Sequence, residues 1–164
     1  MHPRRLALLA LLALHQAASA QGAVFQTPSL TPETALVAAR AALEACRKQG
    51  FQVSVAVVDR AGLTQVLLRD RFAGPHTMVV ATDKAWTAAS FRTSTMQLAE
   101  ETQPGKSTSG LRHLPQMMAV GGGVVIEAGG SSFGAIGVSG GPGPQADESC
   151  AKAGFHAIAD SLEF

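Results

Sequence analysis

Residues 52–69 read Q-V-S-V-A-V-V-D-R-A-G-L-T-Q-V-L-L-R, two β-rich runs with Asp59-Arg60-Ala61-Gly62 between them. In the first run Val53, Val55 and Val57 alternate onto one side. Gly62 supplies the positive φ that a tight turn requires. Two strands joined by so short a turn are antiparallel, because a parallel pair needs a crossover of a dozen residues or more. This hairpin decides the fold class.

Upstream of the hairpin, Thr31-Pro32-Glu33 is a helix start, with an N-cap hydroxyl, Pro at the first helical position and an acid in the first turn. Leu36, Ala39, Leu43 and Cys46 recur at helical spacing, and Gly50 ends the helix. Downstream, His76 to Phe91 is helical in composition. Thr93 or Ser94 caps a further helix running to about Glu101, which Pro104-Gly105 stops. Lys106 to Gln116 is polar and reads as a long irregular loop.

From Gly121 the composition shifts, and seven of the fifteen residues from 129 to 143 are Gly. Val124-Val125-Ile126, a Gly129-Gly130 turn and Phe133 to Ser139 form a second hairpin, whose glycines mark turns or close backbone approach. Asp147 and Glu148 open a last helix, with Ala151, Gly154, Phe155, Ile158 and Leu162 on one face and the acids suited to the helix dipole. The predicted order is α, β-hairpin, α, α, loop, β-hairpin, α. That is an α+β fold and not a doubly wound parallel sheet.

The 164 residues, with 46% hydrophobic and 15% charged, fit one globular domain. Met1 to Ala20 reads as a secretory signal: Arg4 and Arg5, the apolar run Leu6 to Leu14, then Ala18-Ser19-Ala20 before the cut. The apolar run is too short to anchor the chain across a bilayer. Cleavage near Ala20 removes two Arg and no acid, which takes the formal net charge from +1 to −1. That balance argues against a nucleic-acid partner. The expected division is a signal peptide over 1–20, a short arm over 21–30 and a domain over 31–164, in the periplasm or secreted.

Cys46 and Cys150 are the only cysteines. An exported chain can join them, and two buried thiols are the alternative. If the first and last helices pack antiparallel, the end of one meets the start of the other and the two cysteines become neighbours.

Familiar catalytic motifs fail on inspection. Gly137-Val138-Ser139-Gly140-Gly141 has the G-x-S-x-G spacing, but the nucleophile elbow belongs to a parallel α/β sheet, and Asp147 and His156 both follow on one terminal helix. Gly105-Lys106-Ser107 lacks the first glycine of a P-loop, since Glu100 stands there. No dinucleotide fingerprint, H-E-x-x-H or zinc spacing is present. Nothing pairs a nucleophile with a base and an orienting group, which disfavours an enzyme. What remain are single ligands. His76 opens a helix and His113 lies in the long loop close to Met117 and Met118; imidazole and thioether are the side chains that ligate haem iron. A solvated surface His and a packed Met are the plain alternatives. Lys84 shares a helix face with Thr87, where it pairs with an acid, snorkels to solvent, or reaches a carboxylate such as a haem propionate.

Taken together, Val57-Val58-Asp59 with Gly62, Arg69, Lys84-Ala85-Trp86-Thr87-Ala88, Gly122-Gly123, the run Gly134 to Gly140 and Asp147-Glu148 through Cys150-Ala151 to Ala153-Gly154 resemble the GlcG/HbpS-like haem-binding family. The C-terminal domain of PduO-type proteins belongs to the same group. The resemblance covers about residues 31–164. It implies a profilin-like antiparallel sheet flanked by helices, homo-oligomers, and haem or corrinoid as cofactor. The chain departs from the family at Val125, where a Pro usually follows the paired glycines, and in the run Arg112 to Met118. The reading that follows is an exported haem carrier, store or sensor input. His113 or His76 would be the axial ligand, Lys84 and Arg112 the propionate partners, and Met117 a further cofactor contact. A second reading is a structural or assembly partner of a periplasmic enzyme without its own ligand, whose sign would be an exposed apolar patch around Met117 and Met118. A third is a haem-degrading enzyme.

Overall fold

The computed structural model describes residues 25–162. The expected signal segment and residues 21–24 of the arm lie outside the described residues. The elements follow as helix α1 (Pro32–Lys48), strands β1 (Ser54–Asp59) and β2 (Thr64–Arg69), helices α2 (Thr77–Phe91) and α3 (Thr95–Glu101), strands β3 (Gly123–Ala128) and β4 (Ser131–Ser139), and helix α4 (Pro144–His156). Short 3-10 helices cover Ser109–His113 and Ala159–Leu162.

The local signals work as chemistry predicts. Thr31 caps α1 by accepting the Thr34 N–H at 3.2 Å, and Gly50 leaves the helix at φ +82°. Asp59 braces the first turn, its Oδ1 accepting from the N–H groups of Ala61 and Leu63 at 2.8 and 2.9 Å. Gly129 and Gly130 both have positive φ, and Ala128 pairs with Ser131 across them. Two such residues form the hairpin turn whose twist matches its strands.

The four strands are antiparallel in the order β2-β1-β4-β3. The two hairpins thus join through β1 and β4, from Ser54↔Ser139 to Asp59↔Gly134. Placing β1 in the middle changes how its sequence must be read. The alternation of Val53, Val55 and Val57 suggests one buried side, yet β1 is buried on both. Val55 and Val57 join the main core with α1 and α4, while Ala56 and Val58 pack against Ala81, Ala85 and Ala88 of α2. The sheet therefore lies between two helical layers, with α1 and α4 on one face and α2 on the other.

α1 and α4 pack together, and Cys46 is joined to Cys150, with Cα atoms 5.5 Å apart. The open choice between disulfide and thiols is settled in favour of the disulfide. One boundary moves. α4 starts at Pro144, a turn before the expected Asp147, with Gly143 as its N-cap. Pro at the first helical position explains the earlier start.

Candidate functional site

A cleft of about 740 Å³ opens where the amino ends of α2 and α4 meet the end of β4. That volume falls within the ~300–1,000 Å³ of small-molecule sites. Phe51, Phe72, Val80, Met118 and Val120 give it apolar walls, and Phe72 is 78% exposed at its rim. The loop Gly140 to Gly143 forms another wall. His76, exposed and immediately before α2, is the one histidine lining it. Its ring lies back over Gly74, where a Cβ would stand 2.7 Å from the imidazole Cε1.

Three of the sequence motifs meet at the floor. Lys84 of α2 is buried, and its Nζ donates to Asp147 Oδ2 at 2.8 Å and to the Val138 carbonyl at 3.0 Å. Asp147 Oδ1 accepts from the Gly141 N–H at 2.8 Å, which fixes the cleft loop. Glu148 Oε2 accepts from the Gly122 N–H at 2.9 Å, and the Gly123 N–H donates to Thr95 Oγ1 at 2.8 Å. The paired glycines are bare because backbone crowds them: a Cβ on Gly122 would stand 2.7 Å from the Val138 carbonyl oxygen, and one on Gly123 would stand 2.5 Å from the Lys84 carbonyl oxygen. Thr87, three residues on, accepts the Met118 N–H at 2.9 Å and so holds the segment that carries the Met118 wall.

Of the residues singled out in the sequence, His76 and Lys84 come together at this cleft. His113, Arg112 and Met117 do not. His113 is exposed on the 3-10 helix. Arg112 donates from Nε to the Thr102 carbonyl at 2.7 Å and from a terminal nitrogen to the Ala99 carbonyl at 3.0 Å, closing the end of α3. Met117 is buried with Leu98 and Ala119 and Met118 is half-buried, while Leu114 and Val120 beside them are exposed. Asp147 and Glu148 are the residues that sequence reasoning missed. They read as helix-dipole acids, but both are buried and hydrogen-bonded. The signal was present: Asp147, Cys150, Ala151 and Gly154 share the 3.6-residue period of the buried face.

Among the described residues, no group of three or more His, Cys, Asp or Glu is placed to hold a metal ion. No helix among them is long and apolar enough to cross a membrane.

Fold and site together define an α+β domain with one imidazole in an apolar-walled cleft over a buried ion pair. A family model described as "Haem degrading protein HbpS-like" matches residues 30–156, and the chain belongs to that family. A structure of a doubly substituted HbpS from Streptomyces reticuli is 40% identical, with a TM-score of 0.80 over 86% of this chain and 95% of that one. A structure titled as a PduOC–haem complex is 32% identical, with a TM-score of 0.75 over 79% of this chain and 95% of that chain. The corrinoid adenosyltransferase PduO of Salmonella typhimurium is 36% identical over 104 residues, 62% of this chain but only 31% of the enzyme.

Proposed function

We propose that this protein binds haem in the cleft described above, with His76 as the axial ligand, and that it acts after export as a carrier, store or sensor input. The carrying observation is the placement of His76 in a ligand-sized cleft walled by Phe51, Phe72 and Val120. The donor set fits the group. Imidazole is the usual protein ligand of haem iron, and the apolar walls suit a flat macrocycle. Haem supplies a redox-active iron and two propionates. The chain supplies the imidazole, the apolar walls and a floor whose charges cancel between Lys84 and Asp147. The PduOC–haem complex supports the reading, since that domain shares the fold at 32% identity.

Export is supported by the disulfide, because such bonds persist in oxidising compartments. A signal peptide over 1–20 and a periplasmic or secreted location complete that part of the proposal. Homo-oligomers, and a periplasmic partner protein, are supported by Phe72 and Val79, which leave 78% and 63% of their surface exposed close to the cleft.

The family description favours a second reading, haem degradation. A titration of residues 21–164 with haem, followed at the Soret band, tests binding. Saturation near one haem per chain is expected, and uptake no greater than by an unrelated control protein would overturn it. Adding ascorbate to the loaded protein separates the two readings: a carrier keeps its Soret band, while an enzyme loses it catalytically. A parallel titration with cobalamin tests the corrinoid alternative.

A further inference from the structure

The cleft has a polar end as well as apolar walls. Ser139 and Ser54 are paired across β4 and β1, so their side chains leave the sheet on the same face. That face looks toward α2, because Ser54 Oγ lies 2.7 Å from Thr77 Oγ1. Ser139 lines the cleft, is only 6% exposed, and its hydroxyl has no hydrogen-bond partner among the described residues. The residue is nine-tenths buried while its hydroxyl keeps access to the cleft space, so it is free to donate to a group that enters there.

The amino end of α4 closes this side. Its N-cap Gly143 offers no side chain, and Pro144 has no N–H. The first acid of α4, Asp147, spends its oxygens on Lys84 and on the Gly141 N–H. The N–H groups of Ala146 and Asp147 turn back to the Gly143 carbonyl at 3.1 and 3.3 Å, so what the helix end offers the cleft is its partial positive charge and the Gln145 N–H, with no side-chain cap over them. Among the lining residues the only full charges are Lys84 and Asp147, and they neutralise each other. One helix end and one hydroxyl suit a single negative charge. They do not suit a phosphate dianion, which would call for a free Lys or Arg.

We propose that Ser139 and the amino end of α4 form a carboxylate subsite, so that the cleft selects a flat apolar ligand bearing a carboxylate. The inference rests on reading the cleft as a ligand site and adds which end of it takes the charge.

The test uses residues 21–164 and two probes of one shape, 1-naphthoate and the neutral 1-naphthalenemethanol, with inorganic phosphate as a third arm. Naphthoate is expected to shift the backbone amide resonances of Ser139, Gly140, Gly141, Gly143 and Gln145 in a saturable way, and the alcohol and phosphate to leave them in place. Ser139→Ala should weaken naphthoate about tenfold, the loss of one hydrogen bond to a charged group. It should leave the amide spectrum of the free protein otherwise unchanged. Naphthoate without effect on those amides, equal binding of acid and alcohol, preference for phosphate, or unchanged affinity in Ser139→Ala would each overturn the subsite. Comparison of haem with its dimethyl ester keeps the two ideas apart. Equal affinity for both retains the haem site and removes the subsite. Failure of both to bind, with naphthoate still at residues 139–145, removes the haem reading and retains the subsite.

Discussion

Gly137 lies where β4 passes beneath α2, and a Cβ there would stand 2.0 Å from the Ala81 carbonyl oxygen and 2.6 Å from the Ala85 nitrogen. Both obstacles are backbone, so neither can turn aside. Gly137→Ala should destabilise by about 3 kcal/mol, at the upper end of overpacking costs, and by more if the helix cannot shift. Urea denaturation checks this; a loss below about 0.5 kcal/mol, the scale of a neutral surface change, would show that α2 moves freely. The glycine-rich strand was legible as a place of close approach, because glycine weakens a strand and survives there for a steric reason. Ligand choice was not legible at this scale. His76 and His113 look alike in sequence, since each follows a turn-forming stretch. Only the tertiary fold brings His76 to the cleft and leaves His113 on the outer 3-10 helix.

Between elements, two ties hold α4 in place. The first is the disulfide to α1, which closes a loop of 104 residues. Replacing both cysteines by Ser should cost about 2–5 kcal/mol, seen as a fall in the urea midpoint; the wild-type protein under reducing conditions should approach the same value. No difference between oxidised and reduced protein would contradict the assignment. The second tie is the Lys84–Asp147 pair, which joins α2 to α4. Breaking one side strands a buried charge, so Lys84→Met should lose about 3–5 kcal/mol. The double variant Lys84→Met with Asp147→Leu should recover most of that loss, because neither charge then remains buried. A double variant no better than the single one would show that the pair does more than neutralise charge. Element order and the antiparallel hairpins were readable from turns, caps and period. α4 starts a turn before the acids that suit its dipole, because Gly143-Pro144 supplies the N-cap and first helical position.

Across the whole molecule, Arg47 of α1 grips Asp70 beyond β2 through two hydrogen bonds of 2.8 and 2.9 Å. That hydrogen-bonded guanidinium holds the Asp70 carboxyl below its ordinary pKa, against the opposing effect of burial. The folded value is lower than the unfolded one, near 3.9. The contribution is therefore complete above that pH and is lost as pH falls through the folded value. Asp70→Asn should lower the thermal midpoint at neutral pH, and its deficit should shrink in acid. A deficit that stays constant from about pH 7 to about pH 2 would contradict the linkage. At this scale the sequence signals were least informative. The burial of β1 on both faces, and the meeting of Lys84, Gly122-Gly123 and Asp147-Glu148 in one knot, depend on contacts between residues far apart in the chain. No local period carries them. The family motifs quoted from the sequence are largely the parts of that knot, which is why they could be recognised before their purpose was visible. Haem binding in the cleft through His76 is what ties fold, site and family together. The most direct measurement is a Soret-band titration of His76→Ala and His113→Ala beside the wild-type protein. His76→Ala should lose the wild-type band and bind at least about tenfold more weakly, while His113→Ala should be unchanged. A normal band in His76→Ala, or its loss in His113→Ala, would contradict it.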